Sequence, residues 1–242
     1  MKVFLIRQWF DSNTGGYYSP IIEGCYELIP RPSKAGLPYR SLRARCTNST
    51  LERYLPIDRV KWGSKSVAVS RLVTTGCPLV EKGVFCDESR FTTSLEPREG
   101  DYLVFIAGLA YYPRNFFTVR WRYIDIRKAF ENSKRGLYIV GYFSVRKIID
   151  VKSLGWDEAK LVDPRIDEYG VRTGYRVKPV FYIGGREARL LESPLKIANI
   201  AGGTASYIKL PGLKRFKPEY WRRMILKGRS GEHLLSYLES LP

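Results

Sequence analysis

Two long apolar runs constrain this chain more than anything else in it. Glu99-Gly100-Asp101 turns sharply into Tyr102-Leu103-Val104-Phe105-Ile106-Ala107, and Gly136 to Val145 follows as a second run of the same kind. Short, continuous apolar stretches bounded by turn formers read as buried strands. Residues 2–9, with Val3-Phe4-Leu5-Ile6, and Val177 to Ile183, closed by Gly184-Gly185, read the same way. Tyr18 to Pro32 is extended and punctuated by prolines, 33–63 is Arg-rich and irregular, and 64–98 carries short strands between turns.

Phe116 to Ile126 alternates, with Val119, Trp121 and Tyr123 on one side and Arg120 and Arg122 on the other, which is the period of a strand. A short helix is expected over 126–133, a charged loop with one helical turn over 155–174, and a helix broken by Pro194 over 187–197. Toward the end, Lys217-Pro218-Glu219 places a proline at a helix start, and Ser230 can cap a helix whose Leu234, Leu235, Leu238 and Leu241 share a face. The expected fold class is α+β: a β-rich mixed sheet or partly open barrel, with helices concentrated toward the C-terminus. One domain over 1–242 is expected, with a basic helical part from about residue 207.

The chain of 242 residues has 41 Lys plus Arg against 24 Asp plus Glu, a net charge of +17. Such an excess opposes compaction and is usually kept for a polyanion, so nucleic acid or a nucleotide is the expected partner. Gln8 is the only glutamine and His233 the only histidine, a composition that also suits a heat-adapted source. The cysteines Cys25, Cys46, Cys77 and Cys86 show no C-x-x-C spacing. No zinc site, and no other metal site, is expected; they read as small buried residues, with room for one disulfide. The N-terminal apolar run is too short for a signal peptide, and nothing approaches the ~20 apolar residues of a membrane span. A soluble, cytoplasmic protein with no membrane partner is the expectation.

A hydrolase triad is hard to build with one histidine beside an apolar helix face, and no Walker A loop, G-x-G-x-x-G or H-E-x-x-H occurs. Catalytic residues and cofactor are therefore unassigned. The most unusual segment runs from Arg7 through Asp11, Ser12, Gly15, Gly16 and Tyr18 to Ser19-Pro20, at a strand end. Gly15 and Gly16 allow backbone N–H groups to form an anion-binding nest, Arg7, Ser12 and Ser19 add donors, and Tyr17 or Tyr18 could stack on a base. The plain alternative is an Asp-capped turn. Asp87, in Phe85-Cys86-Asp87-Glu88-Ser89-Arg90-Phe91, is a further candidate, whereas Asp101 reads as turn chemistry. Backbone-tracking candidates are Arg120 and Arg122 beside Trp121, and the late cluster Lys214, Arg215, Lys217, Arg222, Arg223 and Lys227, interleaved with Phe216, Tyr220 and Trp221.

Arg7…Asp11-Ser12…Gly15-Gly16…Ser19-Pro20-Ile21, followed by Ile29-Pro30-Arg31-Pro32, resembles the start of the nucleotide modification associated domain family, third type. Residues 85–91, 99–105, 136–143 and Ala188-Arg189-Leu190-Leu191 are similar to later segments of that family. At Asp87 the chain departs from it: the family's segment carries a histidine where Phe85 or Cys86 stands here. The resemblance implies an α+β domain linked to nucleotide or nucleic-acid modification, without an established reaction. The strand pair 101–107 and 137–145 is also similar to base-recognising barrels of the pseudouridine-synthase-and-archaeosine-transglycosylase type, an analogy of fold alone. Three readings follow: a nucleic-acid or modified-nucleotide recognition module, an enzyme using Arg7, Asp11, Ser12 and Asp87 in one pocket, or a basic structural protein.

Overall fold

The computed structural model describes residues 1–9, 14–15, 18–62, 65–77, 79–88, 90, 92–113, 115–131, 134–201, 204–208, 210 and 224–241. Ten strands form the main sheet: β1 (Lys2–Arg7), β2 (Ser19–Ile22), β3 (Cys25–Tyr26), β4 (Val84–Asp87), β5 (Tyr102–Tyr111), β6 (Arg135–Asp150), β7 (Val180–Gly184), β8 (Arg189–Ala201), β9 (Thr204–Tyr207) and β10 (Met224–Lys227). The main path runs β9-β8-β6-β5-β1-β10, so the sheet is mixed and does not close into a barrel. β1 lies parallel to β5, with Val3 opposite Tyr102, and β5 lies antiparallel to β6. The two apolar runs are thus the central pair, and β5 is buried on both faces along most of its length.

β6 is long enough to serve two partners. Its first part pairs with β8 and its last part with β7, which in turn carries β4. Gly141 permits the crossing: a Cβ there would stand 2.5 Å from the Arg189 carbonyl oxygen. β2 adds to the far end of β5 and returns as β3 through Glu23-Gly24, both at positive φ as a two-residue hairpin requires.

Alternation along β1 sends Phe4 and Ile6 to a core with Phe85, Phe105, Phe143 and Tyr182. Val3 and Leu5 go to the other face, where α4 (Arg229–Glu239) lays down Leu234, Leu235 and Leu238. A third core, from Tyr18, Tyr39, Tyr54, Tyr112 and Phe116, lies under the irregular 33–74 region. A fourth seats α2 (Trp156–Val162) and α3 (Asp167–Thr173) against β4 and β7.

Five local expectations are corrected. The 116–126 stretch is a turn that leads into α1 (Tyr123–Glu131); Trp121 Nε1 donates to the Phe116 carbonyl at 3.1 Å, and Asp58 Oδ1 accepts from Tyr123 N at 2.9 Å. Arg120 and Arg122 therefore sit on an exposed turn, not a strand. Residues 187–197 belong to strand β8. Pro194 is tolerated because the register shifts between the Ile139–Leu195 and Gly141–Leu190 pairs, leaving it outside the ladder. The 155–174 segment is mostly helical, through α2 and α3. The last helix is capped by Gly228 at φ 53°, with no side-chain cap from Ser230, and the described residues 204–207 and 224–227 are strands rather than helix.

The cysteines depart from expectation as well. Cys25–Cys46 and Cys77–Cys86 are disulfides. Among the described residues no helix is long and apolar enough to cross a membrane, and no cluster of His, Cys, Asp and Glu could hold a metal ion.

Candidate functional site

At the end of β1, Gln8 N donates to the Ile106 carbonyl at 3.0 Å and the ladder stops. Trp9 then takes φ 69°, a left-handed conformation that costs a bulky residue about 1–2 kcal/mol. Its ring lies in the core, edge-on to Phe105 at 6.1 Å. Arg31 Nε donates to the Trp9 carbonyl at 3.4 Å, so the 29–32 segment is fastened beside it. Tyr39 and Thr74 hold that segment from behind: Tyr39 OH donates to the Pro30 carbonyl at 2.5 Å and Thr74 Oγ1 to the Arg31 carbonyl at 2.7 Å.

Trp9 and Pro30 form one wall of a cavity of about 460 Å³. Leu28, Leu42, Leu79 and Leu190 make much of the rest of its surface apolar. Arg43, Arg45, Lys82 and Arg172 line it against two carboxylates, Glu27 and Glu81. Glu27 is buried and spent on structure: its Oε2 accepts from Arg45 N at 2.6 Å and Cys46 N at 3.0 Å, and its Oε1 from Leu28 N at 3.2 Å. Burial raises its pKa despite those bonds. Arg45 spreads over the Tyr26 ring at 4.1 Å and donates to the Tyr26 carbonyl. Tyr26 is pinned in turn by its hydroxyl to the Leu191 and Val140 carbonyls. Lys82 and Arg172 share Glu168, and Lys82 holds that carboxyl below its usual pKa. The cavity thus joins an apolar surface to a cationic wall, which suits a planar ring carrying an anionic group.

Among the described residues, none of the anticipated ones lines this cavity. Tyr18 and Ser19 are buried and structural: Tyr18 belongs to the third core, and Ser19 Oγ accepts from Ile29 N at 3.2 Å. Neither is a stacking platform or an open phosphate donor. Arg7 continues the Val3–Leu5 face of β1, on the α4 side, where its charge acts on Tyr207. Asp87 belongs to a different region, accepting from Thr93 N at 2.9 Å near Tyr182 and Arg90. Arg7 lies on β1 and Asp87 on β4, strands that do not pair with each other. Gly15 pairs with Lys61 in a small accessory sheet. Asp11, Ser12, Gly16, Tyr17, Lys214, Arg215, Lys217, Arg222 and Arg223 lie outside the described residues. Lys227 is exposed at the end of β10.

Glu88 is tied to the cavity lining through Thr75. Glu88 accepts from Ser33 Oγ at 2.8 Å and from Thr75 Oγ1 at 3.1 Å, and the Thr75 carbonyl accepts from Arg172 at 3.0 Å. Arg90 reaches across to make a two-armed pair with Asp150 at 2.5 and 3.0 Å. Sequence reasoning missed Trp9, Arg43, Arg45, Lys82 and Arg172. The signal that could have found the arginines was the density of Arg in an aperiodic stretch near Cys46.

A mixed sheet with a cavity lined by Arg43, Arg45, Lys82 and Arg172 at the exit of its first strand is the frame of this α+β domain. The chain belongs to the family of nucleotide modification associated domain 3, whose model matches residues 2–168. Trp9, Pro30, Arg43, Arg45 and Lys82 fall within the matched span, while Arg172 and Leu190 lie beyond it. No curated protein and no solved structure matches the chain.

Proposed function

We propose that this protein recognises a nucleotide, free or within nucleic acid, in a nucleotide- or base-modification setting, and that the Trp9 cavity is where it does so. One observation carries the reading. Three stretches far apart in sequence, at Trp9, Pro30 and Leu190, meet around one apolar hollow whose polar lining is mainly cationic. The base would lie on the apolar surface and the phosphate on Arg43, Arg45, Lys82 or Arg172. The family membership and the net charge of +17 point the same way. Recognition is favoured over catalysis because Glu27, the buried carboxylate of the cavity lining, is occupied by three backbone N–H groups.

Mass spectrometry of nucleotides that co-purify with the protein, followed by calorimetric titration, tests the reading. Wild-type protein should bind a mononucleotide, and Arg43→Ala, an exposed change, should weaken binding about tenfold with the fold intact. A protein that co-purifies with no nucleotide and binds none at millimolar concentration would remove the proposal.

A further inference from the structure

A second cavity, of about 310 Å³, shares no lining residue with the first. It lies between the 3-10 turn Leu51–Tyr54 and the turn 115–121. We infer that it takes an unstacked base of single-stranded nucleic acid, so that the protein's ligand is a polynucleotide gripped at two places. The two-point grip rests on the nucleotide reading of the Trp9 cavity, whereas base binding at this second cavity is tested separately from it.

The walls are aromatic and held in place. Phe116 is buried, and its ring lies nearly parallel to Trp121, at 9° and 6.1 Å between centroids. Trp121 Nε1 is committed to the Phe116 carbonyl, so the indole cannot swing away. Phe117 stands edge-on to Tyr54 at 5.0 Å, with the Arg53 guanidinium 5.6 Å from its centroid. Rings fixed in advance lose little freedom when a base stacks on them, and stacking is tolerant of sequence because every base has a π face.

The rim is cationic. Arg53 and Arg120 line the cavity, Arg122 follows immediately, and all three are exposed. None of them makes an ion pair among the described residues. Among the described residues, Glu52 is the one acidic residue lining the cavity. Val119 and Ile57, about half exposed at 47% and 50%, leave apolar surface at the mouth that a ligand would cover. The volume sits at the low end of the ~300–1,000 Å³ typical of small-molecule sites, which suits a single base and not a protein side. A duplex hides its base faces, so only an unpaired strand can use these rings.

Photo-crosslinking with short single-stranded oligonucleotides carrying 5-bromodeoxyuridine or 4-thiouridine tests the inference, the two probes separating DNA from RNA. The crosslink should map to Phe117 or Trp121 and be competed by unlabelled oligonucleotide. In fluorescence anisotropy, Arg53→Ala combined with Arg120→Ala should lower oligonucleotide affinity about tenfold and make the salt slope shallower by about 0.7 per lost contact. Mononucleotide affinity at the Trp9 cavity should not change, and circular dichroism should show the variant folded. Crosslinks confined to other peptides, an oligonucleotide affinity untouched by the double variant, or no oligonucleotide binding at low salt would each overturn the inference.

Discussion

Asp101 Oδ1 accepts the backbone N–H of Lys2 at 2.7 Å, joining residues 99 positions apart. Its other oxygen accepts from Arg98 N at 2.9 Å, closing the turn before β5. One buried carboxylate therefore registers the first strand of the chain against the central strand, at the start of their parallel ladder. An amide can satisfy only one of the two donors. Asp101→Asn should therefore destabilise the protein by about 1–3 kcal/mol in chemical denaturation. Nucleotide affinity, measured at a temperature where both proteins are folded, should be unchanged. A variant of undiminished stability that has lost ligand would move Asp101 from the frame to the site.

The Arg90–Asp150 pair gives stability a pH dependence of known sign. Hydrogen bonds from Arg90 hold the Asp150 carboxyl below its usual pKa, and Asp150 raises that of Arg90, so both partners report the same attraction. A depressed carboxylate contributes stability above its unfolded value, about 3.9, and loses it as the pH falls through the folded value. The pair is about one-third exposed, so its worth is about 0.2–1 kcal/mol. Asp150→Asn should be less stable than wild type at pH 7, and the gap should shrink below about pH 4. Equal destabilisation at pH 7 and pH 2.5 would exclude the ionic contribution.

The Cys25–Cys46 disulfide fixes the Arg43–Arg45 loop to β3, with a sequence separation of 21. Loop-closure entropy for a ring of that size is worth about 3 kcal/mol. Cys46→Ala should lower stability by roughly that amount and weaken nucleotide binding, because the loop also presents Arg45 N to Glu27. A Tm scan of wild type with and without reductant, beside the variant, checks both halves. Reduction that leaves Tm unchanged would show that the bond closes nothing the fold needs.

How far the fold could be read from sequence depended on where each residue's partner sits. β1, β5 and β6 were legible because continuous apolar runs need no partner to declare them, and Asp101 was legible as turn chemistry. β8 was misread because Pro194 argues for a broken helix until the bulge opposite Gly141 is known, and that bulge is a property of the pairing. The turn at 115–121 mimicked a strand because Trp121 points back to Phe116 rather than across a sheet. At the site, the segment after Arg7 was recognised as unusual, yet Tyr18 and Ser19 serve the core. The residues that line the cavity come from stretches with no period, and disulfide pairing has no local signature. Only the fold brings Trp9, Arg43 and Arg172 to one hollow.

Gly76 offers a test of the cavity that does not touch a charge. Its φ is +75°, and a Cβ built on it would stand 2.3 Å from Arg172 Nη1. The glycine thus makes room for the guanidinium, which donates to the Thr75 carbonyl at 3.0 Å while lining the cavity. Gly76→Ala should cost about 1–2 kcal/mol of backbone strain and push Arg172 off its seat. If Arg172 contacts the ligand's anionic group, Gly76→Ala and Arg172→Ala should each lower nucleotide affinity by a similar factor. The double variant should then lose little more than either single one, because both remove the same cation and coupled residues are not additive. Affinities that stay at the wild-type value in both single variants, with only stability reduced, would show that Arg172 braces the 74–76 segment and that the ligand's charge is met by Arg43, Arg45 and Lys82 alone. Full additivity in affinity would mean that the glycine shapes the cavity by a route other than Arg172.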